Sequence, residues 1–576
     1  MYILGINAYH GDAAAAIIKD GRLIAAVEEE RFNRIKHCAG FPEQSIRYCL
    51  ETAGIRIEDV DHIGISRDPS AHLHKKILYA ASRFGVFRQA KDRLANAAKV
   101  RDVKDELARV FEISKRNLRA EFHNVEHHLA HLASCFFVSP FERAALLSID
   151  GFGDFISTMW ATGVAESIEV LGQVEYPHST GIVYTATTQF LGFPHYGDEG
   201  KVMGLAPYGQ PRFINQFREI IRTEERGQFR LNLDYFRHHA EGVEMSWDKG
   251  SPVIGRIFSD EFVKTFGPAR APGVQLSDRD RDIAASLQLR LEEIAFHVLN
   301  HLYDQTRVTD LGLAGGVAYN SVLNGKILLH TPFQRIFVQP AAGDSGTALG
   351  VCYYLHNQVL KQPRGEAMLG AYTGPGFNDD QMREALDQSG LAFECFDDRD
   401  VTKRAAKDIA DGLVVGWFQG RMEFGPRALG NRSIVVDPRR AEMKDILNDR
   451  IKKREPFRPF APSILEEQVG DYFEQTHPAP AMLMVYQIKP ERRAQIPAVT
   501  HVDGSGRLQT VSPKLNQRYY QLISDFAELT GVPVLLNTSF NENEPIVCTP
   551  QHAIDCFQKT RMDALYLGNY AVRRTQ

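Results

Sequence analysis

YILGINAYHGDAAAAIIKDGRLIAAVE, residues 2–28, decides the reading of the fold. An apolar run from Tyr2 to Asn7 leads through small residues to a second run, Ala13 to Lys19, then an Asp20-Gly21 turn and a third run, Leu23 to Glu28. Strand-forming runs joined by such a turn predict a three-stranded meander. The pattern returns at AALLSIDG, residues 144–151, followed by Phe155 to Val164 and Ser167 to Val174. Strand, Gly turn and strand, met twice, predict two related α/β halves. Residues 42–120 read as largely helical. Ser277 to Thr306 reads as one long amphipathic helix, because Ile283, Leu287, Leu291, Ile294 and Val298 recur at helical spacing. Turn formers from Gln362-Pro363-Arg364-Gly365 to Pro375-Gly376 interrupt the pattern, so the expected units are residues 1–362 and 375–576.

The duplicated first unit resembles the actin, sugar-kinase and Hsp70 ATPase superfamily (ASKHA, duplicated RNase H-like), which implies a nucleotide held between its halves. Such a fold does not by itself fix the chemistry. A chain of 576 residues exceeds one hydrophobic core, and 44% hydrophobic with 24% charged residues excludes disorder. The N-terminal residues have neither a basic start nor a sustained apolar run, and no segment is apolar enough to span a bilayer. A cytoplasmic protein with no membrane partner is expected. The seven cysteines are scattered, without the close pairs of zinc or redox sites, and read as reduced thiols. A net charge of -5 gives no general attraction to nucleic acid, so none is expected as a partner. A homodimer is the base-rate expectation.

Chemistry first shows at Val125-Glu126-His127-His128-Leu129-Ala130-His131. In a helix His127 and His131, four apart, share a face and can grip one metal ion, although a His-rich helix can also be a solvated face. Asp150 ends a strand before Gly151, and Asp344 lies in Ala342-Gly343-Asp344-Ser345-Gly346-Thr347, where small residues permit close approach. Two His and two Asp suit Fe2+ or Mn2+, with positions left open for a phosphate or acceptor oxygen. Gly315-Gly316 allows backbone approach to adenine or ribose and Asn320 supplies an amide, a tight turn being the plainer reading.

In the C-terminal unit, Gly420-Arg421-Met422-Glu423-Phe424-Gly425-Pro426-Arg427 runs on through Arg432, Lys444, Asn448, Lys452, Arg454 and Arg458. A solvated or RNA-binding patch is one reading. Few aromatics and a Pro/Gly-constrained loop favour an oxyanion pocket, since arginine forks match phosphate geometry. Structural ion pairing remains the alternative for any one arginine. His501 to Gln509 and Val534 to Asn541 add polar residues at strand ends, where α/β domains place ligands.

His127-x-x-x-His131, Asp150-Gly, Gly315-Gly316 to Asn320 and Asp344-Ser-Gly together resemble the metal and nucleotide site of the tRNA-threonylcarbamoyl-transferase catalytic subunit. His10, the run Glu28-Glu29-Glu30-Arg31-Phe32 with Lys36-His37, Glu199-Gly200-Lys201 and the C-terminal half are similar to the NodU and antibiotic-tailoring O-carbamoyltransferases (tobramycin carbamoyltransferase-like), over essentially the whole chain. That resemblance implies an actin-like carbamoyl-transfer domain followed by a YrdC-like domain related to one in HypF. It implies iron on His127, His131, Asp150 and Asp344, His10 as catalytic base, and Lys36 near an adenylate phosphate. Carbamoyl phosphate falls to Arg427, Arg458, Arg507, Asn537 and Ser539. The implied reaction consumes carbamoyl phosphate and ATP with Mg2+, forms a carbamoyl-adenylate shielded from water, and carbamoylates a hydroxyl of a small-molecule acceptor. A tRNA-modifying enzyme, a HypF-like cysteine carbamoylase and a non-catalytic nucleotide-binding regulator are the rival readings.

Overall fold

Strand β1 (Tyr2–Asn7) pairs antiparallel with β2 (Ala14–Lys19), which pairs with β3 (Arg22–Glu28). This is the meander expected from residues 2–28. The computed structural model describes residues 1–81, 103–242, 245–248 and 250–574. They divide into two compact units, residues 1–320 with 327–368, and residues 321–326 with 369–576.

In the first unit β4 (His62–Ile65) and β5 (Glu121–Asn124) extend the first sheet in parallel, giving the order β3-β2-β1-β4-β5. Strand β4 is an exception within residues 42–120, which read as largely helical. Its four residues are too few to show alternation, and it is recognisable only by its pairing with β1. The helices Glu43–Ala53, Leu73–Ala81 and Val103–Val110 do fall in that stretch, and its residues 82–102 lie outside the described residues.

A second sheet repeats the arrangement. β6 (Arg143–Gly153), β7 (Ile156–Val164) and β8 (Ser167–Glu175) form a meander, and β9 (Asp310–Ala314) and β10 (Arg335–Val338) continue in parallel beside β6. The order β8-β7-β6-β9-β10 matches that of the first sheet strand for strand. The long helix runs from Asp278 to Thr306, started by a capping box in which Ser277 and Asp280 exchange hydrogen bonds.

Two helices occupy the middle of this unit, α1 (His127–Phe136) and α2 (Ser345–Tyr353). They pack at backbone distance. A Cβ on Gly350 of α2 would stand 1.8 Å from the Ala130 carbonyl oxygen of α1, and one on Gly5 of β1 would stand 1.9 Å from that of Ala348. Glycine there lets one helix lie directly on another and on the sheet. Gly350→Ala is therefore expected to destabilise the unit by about 3 kcal/mol or more, the upper range for overpacking, because the obstructing atom is backbone. A urea unfolding midpoint measures it.

The second unit is built on one nine-stranded mixed sheet. Its strands are β11 (Phe393–Cys395), β12 (Val415–Phe418), β13 (Arg432–Val436), β14 (Ala461–Leu465), β15 (Met484–Gln487), β16 (Ser505–Val511), β17 (Val534–Ser539), β18 (Ala564–Leu567) and β19 (Tyr570–Arg573). They are ordered β11-β19-β18-β12-β13-β17-β14-β16-β15. Arg432 is fully buried, its guanidinium 3.6 Å from the centroid of the Phe418 ring and bonded to the Gly420 and Pro375 carbonyls. This arginine holds the sheet's loop rather than a ligand.

Candidate metal centre and oxyanion pocket

Helix α1 starts at Glu126, whose carboxylate accepts the Leu129 N–H at 2.7 Å, and its first two turns present His127 and His131 side by side. Their Nε2 atoms are 3.1 Å apart, and both lie on one oxygen of Asp150, at 3.2 and 3.0 Å. Asp344 stands at the start of α2 without capping it, which leaves its carboxylate free to turn to the histidines, 3.6 and 3.7 Å from His131 and His127 Nε2. His128 belongs to the core instead. It takes Ser148 at Nδ1 and the Ile156 carbonyl at Nε2, which spends both ring nitrogens.

Two imidazole nitrogens and a carboxylate oxygen crowded to about 3 Å match the ligand edge of an octahedral cation with bonds near 2.1 Å. The four groups thus fit a metal. Burial opposes charge in this cluster, but the hydrogen bonds of His127 and His131 hold Asp150 well below the usual carboxylate range. Asp344 falls to about 2 against burial and Asp150, through His10 and His131, while Asp150 and Asp344 lift His127 to about 9 despite burial. Strong mutual ionisation of this kind is what a resident cation would replace.

His10, in the turn after β1, reaches the same carboxylate: its Nδ1 is 2.9 Å from Asp344 Oδ2, and its ring lies edge-on to His127 with centroids 5.8 Å apart. Gly315 and Gly316 close the other side. Gly315 has φ +93°, and a Cβ on Gly316 would meet Asp150 Oδ1 at 2.8 Å. Asn320, by contrast, exchanges side-chain hydrogen bonds with Gln288 at 2.8 and 3.1 Å, and Lys36 is exposed on a turn. The motif around Lys36 is largely scaffold. Glu29 accepts the Ser45 N–H and hydroxyl, Arg31 pairs with Glu28 and Glu30, and His37 bonds Asp12 at 2.8 Å. The Asp12, Glu30 and His37 cluster was not read from the sequence, because its members come from two separated turns.

In the second unit burial, together with the positive charges of Arg427, Arg454 and Arg458, pushes the Arg507 pKa well down. Its Nε–H is buried without a hydrogen-bond partner among the described residues. Arg454, held by Asn448 at 2.9 Å, is likewise lowered by burial and Arg458, to about 9. Asn537 donates to the Ala428 carbonyl and Gln509, while its own Oδ1 is buried unpartnered. Ser539 bonds Asn541, and both receive the Lys452 ammonium. The loop that carries Arg427 is shaped by Glu423, one of whose oxygens takes the N–H groups of Leu429, Asn431 and Arg432 at 2.7, 2.9 and 3.3 Å. Sequence reasoning missed Arg454 as a cluster member, although it stood in the quoted basic run.

Family profiles for a carbamoyltransferase N-terminus and a carbamoyltransferase C-terminus match residues 2–353 and 406–574. The chain belongs to the carbamoyltransferase family. This carbamoyltransferase is 41% identical to nodulation protein NolNO of Sinorhizobium fredii, over 99% of this chain and 80% of that protein. It is 28% identical to nodulation protein U of the same organism, over 94% of each. Among solved structures, it is similar to the Acidaminococcus fermentans (R)-2-hydroxyglutaryl-CoA dehydratase component A. That match covers 62% of this chain and 97% of that one, with a TM-score of 0.32 and 15% identity. HypF of T. kodakarensis aligns over 62% of this chain and 48% of its own, with a TM-score of 0.32 and 15% identity. No helix among the described residues of the carbamoyltransferase is long and apolar enough to cross a membrane.

Proposed function

We propose that this carbamoyltransferase activates carbamoyl phosphate with ATP and passes the carbamoyl group to a hydroxyl of a small natural product. The observation that carries the reading is His10 bonded to a carboxylate of the two-histidine, two-aspartate centre, an arrangement that supports a proton acceptor working beside a metal. A metal-dependent transfer to oxygen needs both. The rival tRNA-threonylcarbamoyl reading is not favoured by the carbamoyltransferase match across the chain.

Activation belongs to the second unit, read as a YrdC-like domain. Arg427, Arg458 and Arg507 receive the phosphate of carbamoyl phosphate, and Asn537 with Ser539 orients the carbamoyl amide and carbonyl. Water cleaves the mixed anhydride of carbamoyl phosphate to carbamate and phosphate, with release of a proton. The carbamate oxygen then attacks the α-phosphorus of Mg2+-bound ATP, and pyrophosphate leaves carbamoyl-adenylate. In the first unit Gly315 and Gly316 admit the adenylate and Lys36, exposed on its turn, reaches for its phosphate, while Asn320, whose amide is engaged by Gln288, supports the turn beside it. The acceptor oxygen loses its proton to His10 and bonds the carbamoyl carbon, AMP departs, and Asp344 steadies the imidazolium. Fe2+, or Mn2+, held by His127, His131, Asp150 and Asp344 would supply Lewis-acid polarisation.

The test is release of AMP and pyrophosphate from ATP that depends on carbamoyl phosphate, followed by mass analysis of a panel of hydroxylated acceptors. AMP production that ignores carbamoyl phosphate overturns the reading. Arg507→Lys keeps the charge and loses the fork, so its KM for carbamoyl phosphate is expected to rise about tenfold in the pyrophosphate assay.

A further inference from the structure

His62 and His123 stand on neighbouring parallel strands whose register sets His62 opposite Glu121 and Gly64 opposite His123. Side chains two apart on a strand share a face, so His62, Glu121 and His123 all project from one side of β4 and β5. Ile63 and Phe122 turn the other way, into the core cluster of this unit. The shared face brings three candidate ligands together. His62 Nδ1 lies 3.1 Å from His123 Nε2, and the two oxygens of Glu121 lie 3.7 Å from the first and 4.0 Å from the second.

We propose that His62, His123 and Glu121 form a second, peripheral site for a divalent transition-metal cation of the zinc class, which clamps the edge strand β5 to β4. Three protein ligands with a water complete a tetrahedral shell, and imidazole with carboxylate suits zinc and its neighbours. The histidine side chains are about six-sevenths buried, 14% and 15% exposed, whereas Glu121 is 69% exposed, so the nitrogens are fixed and the carboxylate can swing onto an arriving ion. The nearby Asp61 carboxylate is already engaged by the Tyr2 N–H at 2.7 Å.

This site is separate from the catalytic tetrad. His62 pairs with Ile3, near the start of β1, whereas His10 follows that strand's other end. The two are connected through the chain, because β5 ends at Asn124, two residues before the Glu126 cap that orients His127. An unclamped edge strand of four residues is the weakest support in that path.

The plain alternative is a hydrogen bond between two imidazoles with no ion. Dialysing the purified full chain against zinc and counting metal decides between them. Zinc uptake beyond the metal already present should be one ion per chain, and should vanish in His62→Asn/His123→Gln. Zinc should also raise the melting temperature of the native chain and not of that variant. Glu121→Gln, which keeps both rings on an exposed edge, guards against a folding failure and should weaken zinc binding about tenfold. Equal uptake and equal melting shifts in native and variant proteins, or no zinc uptake by the native chain, overturn the proposal.

Discussion

Replacing His131 by alanine is expected to leave the purified chain without its tetrad metal and to lower carbamoyl transfer about a thousandfold or more. His131 is fully buried and is one of three groups meeting at about 3 Å, so its removal takes one nitrogen out of the crowded ligand edge. Lewis-acid polarisation is worth several kcal/mol, which sets the scale of the loss. Pyrophosphate release dependent on carbamoyl phosphate should continue, because the arginines of the second unit are untouched. Metal analysis beside the two activity assays separates these outcomes; a His131→Ala chain with full metal content removes that residue from the ligand set.

The next largest effect is expected at His10. His10→Ala should keep the metal and the adenylate-forming step and reduce carbamoyl transfer by roughly 10²–10⁴-fold, the usual share of a general base. Only the acceptor proton loses its destination. Raising the pH should restore part of the rate, since an acceptor alkoxide no longer needs a base, whereas a merely structural histidine would give a loss that pH does not mend. Retained transfer in His10→Ala would assign the proton to another group.

Much of this was legible in the sequence because local patterns carry local structure. Two meanders with Gly turns announced two sheets of one topology, and the four-residue interval of His127 and His131 announced a shared helix face. What the sequence withheld depends on contacts between distant residues. Strand β4 has no alternation of its own and exists because β1 pairs with it. The bond from His10 to Asp344 spans 334 positions. Asn320 reads as a ligand by its amide, yet the structure places that amide on Gln288, from a helix thirty-two residues away. Arg432 and Arg427 look alike in the basic run, and only the Phe418 ring and surrounding carbonyls mark Arg432 as scaffold, whereas the charge of Arg427 acts on Arg507.

The gathered guanidinium groups around Arg507 carry a cost that the folded chain bears whenever no counter-anion is among them. Like charges repel, and among the described residues Arg507 Nε has no hydrogen-bond partner. A doubly charged oxyanion entering there would relieve that repulsion, so under the proposed function the incoming co-substrate acts as a missing structural piece as well as a reactant. In the proposed reaction inorganic phosphate is released in the same place and satisfies the same electrostatic demand, so turnover is expected to be tied to how readily that product leaves.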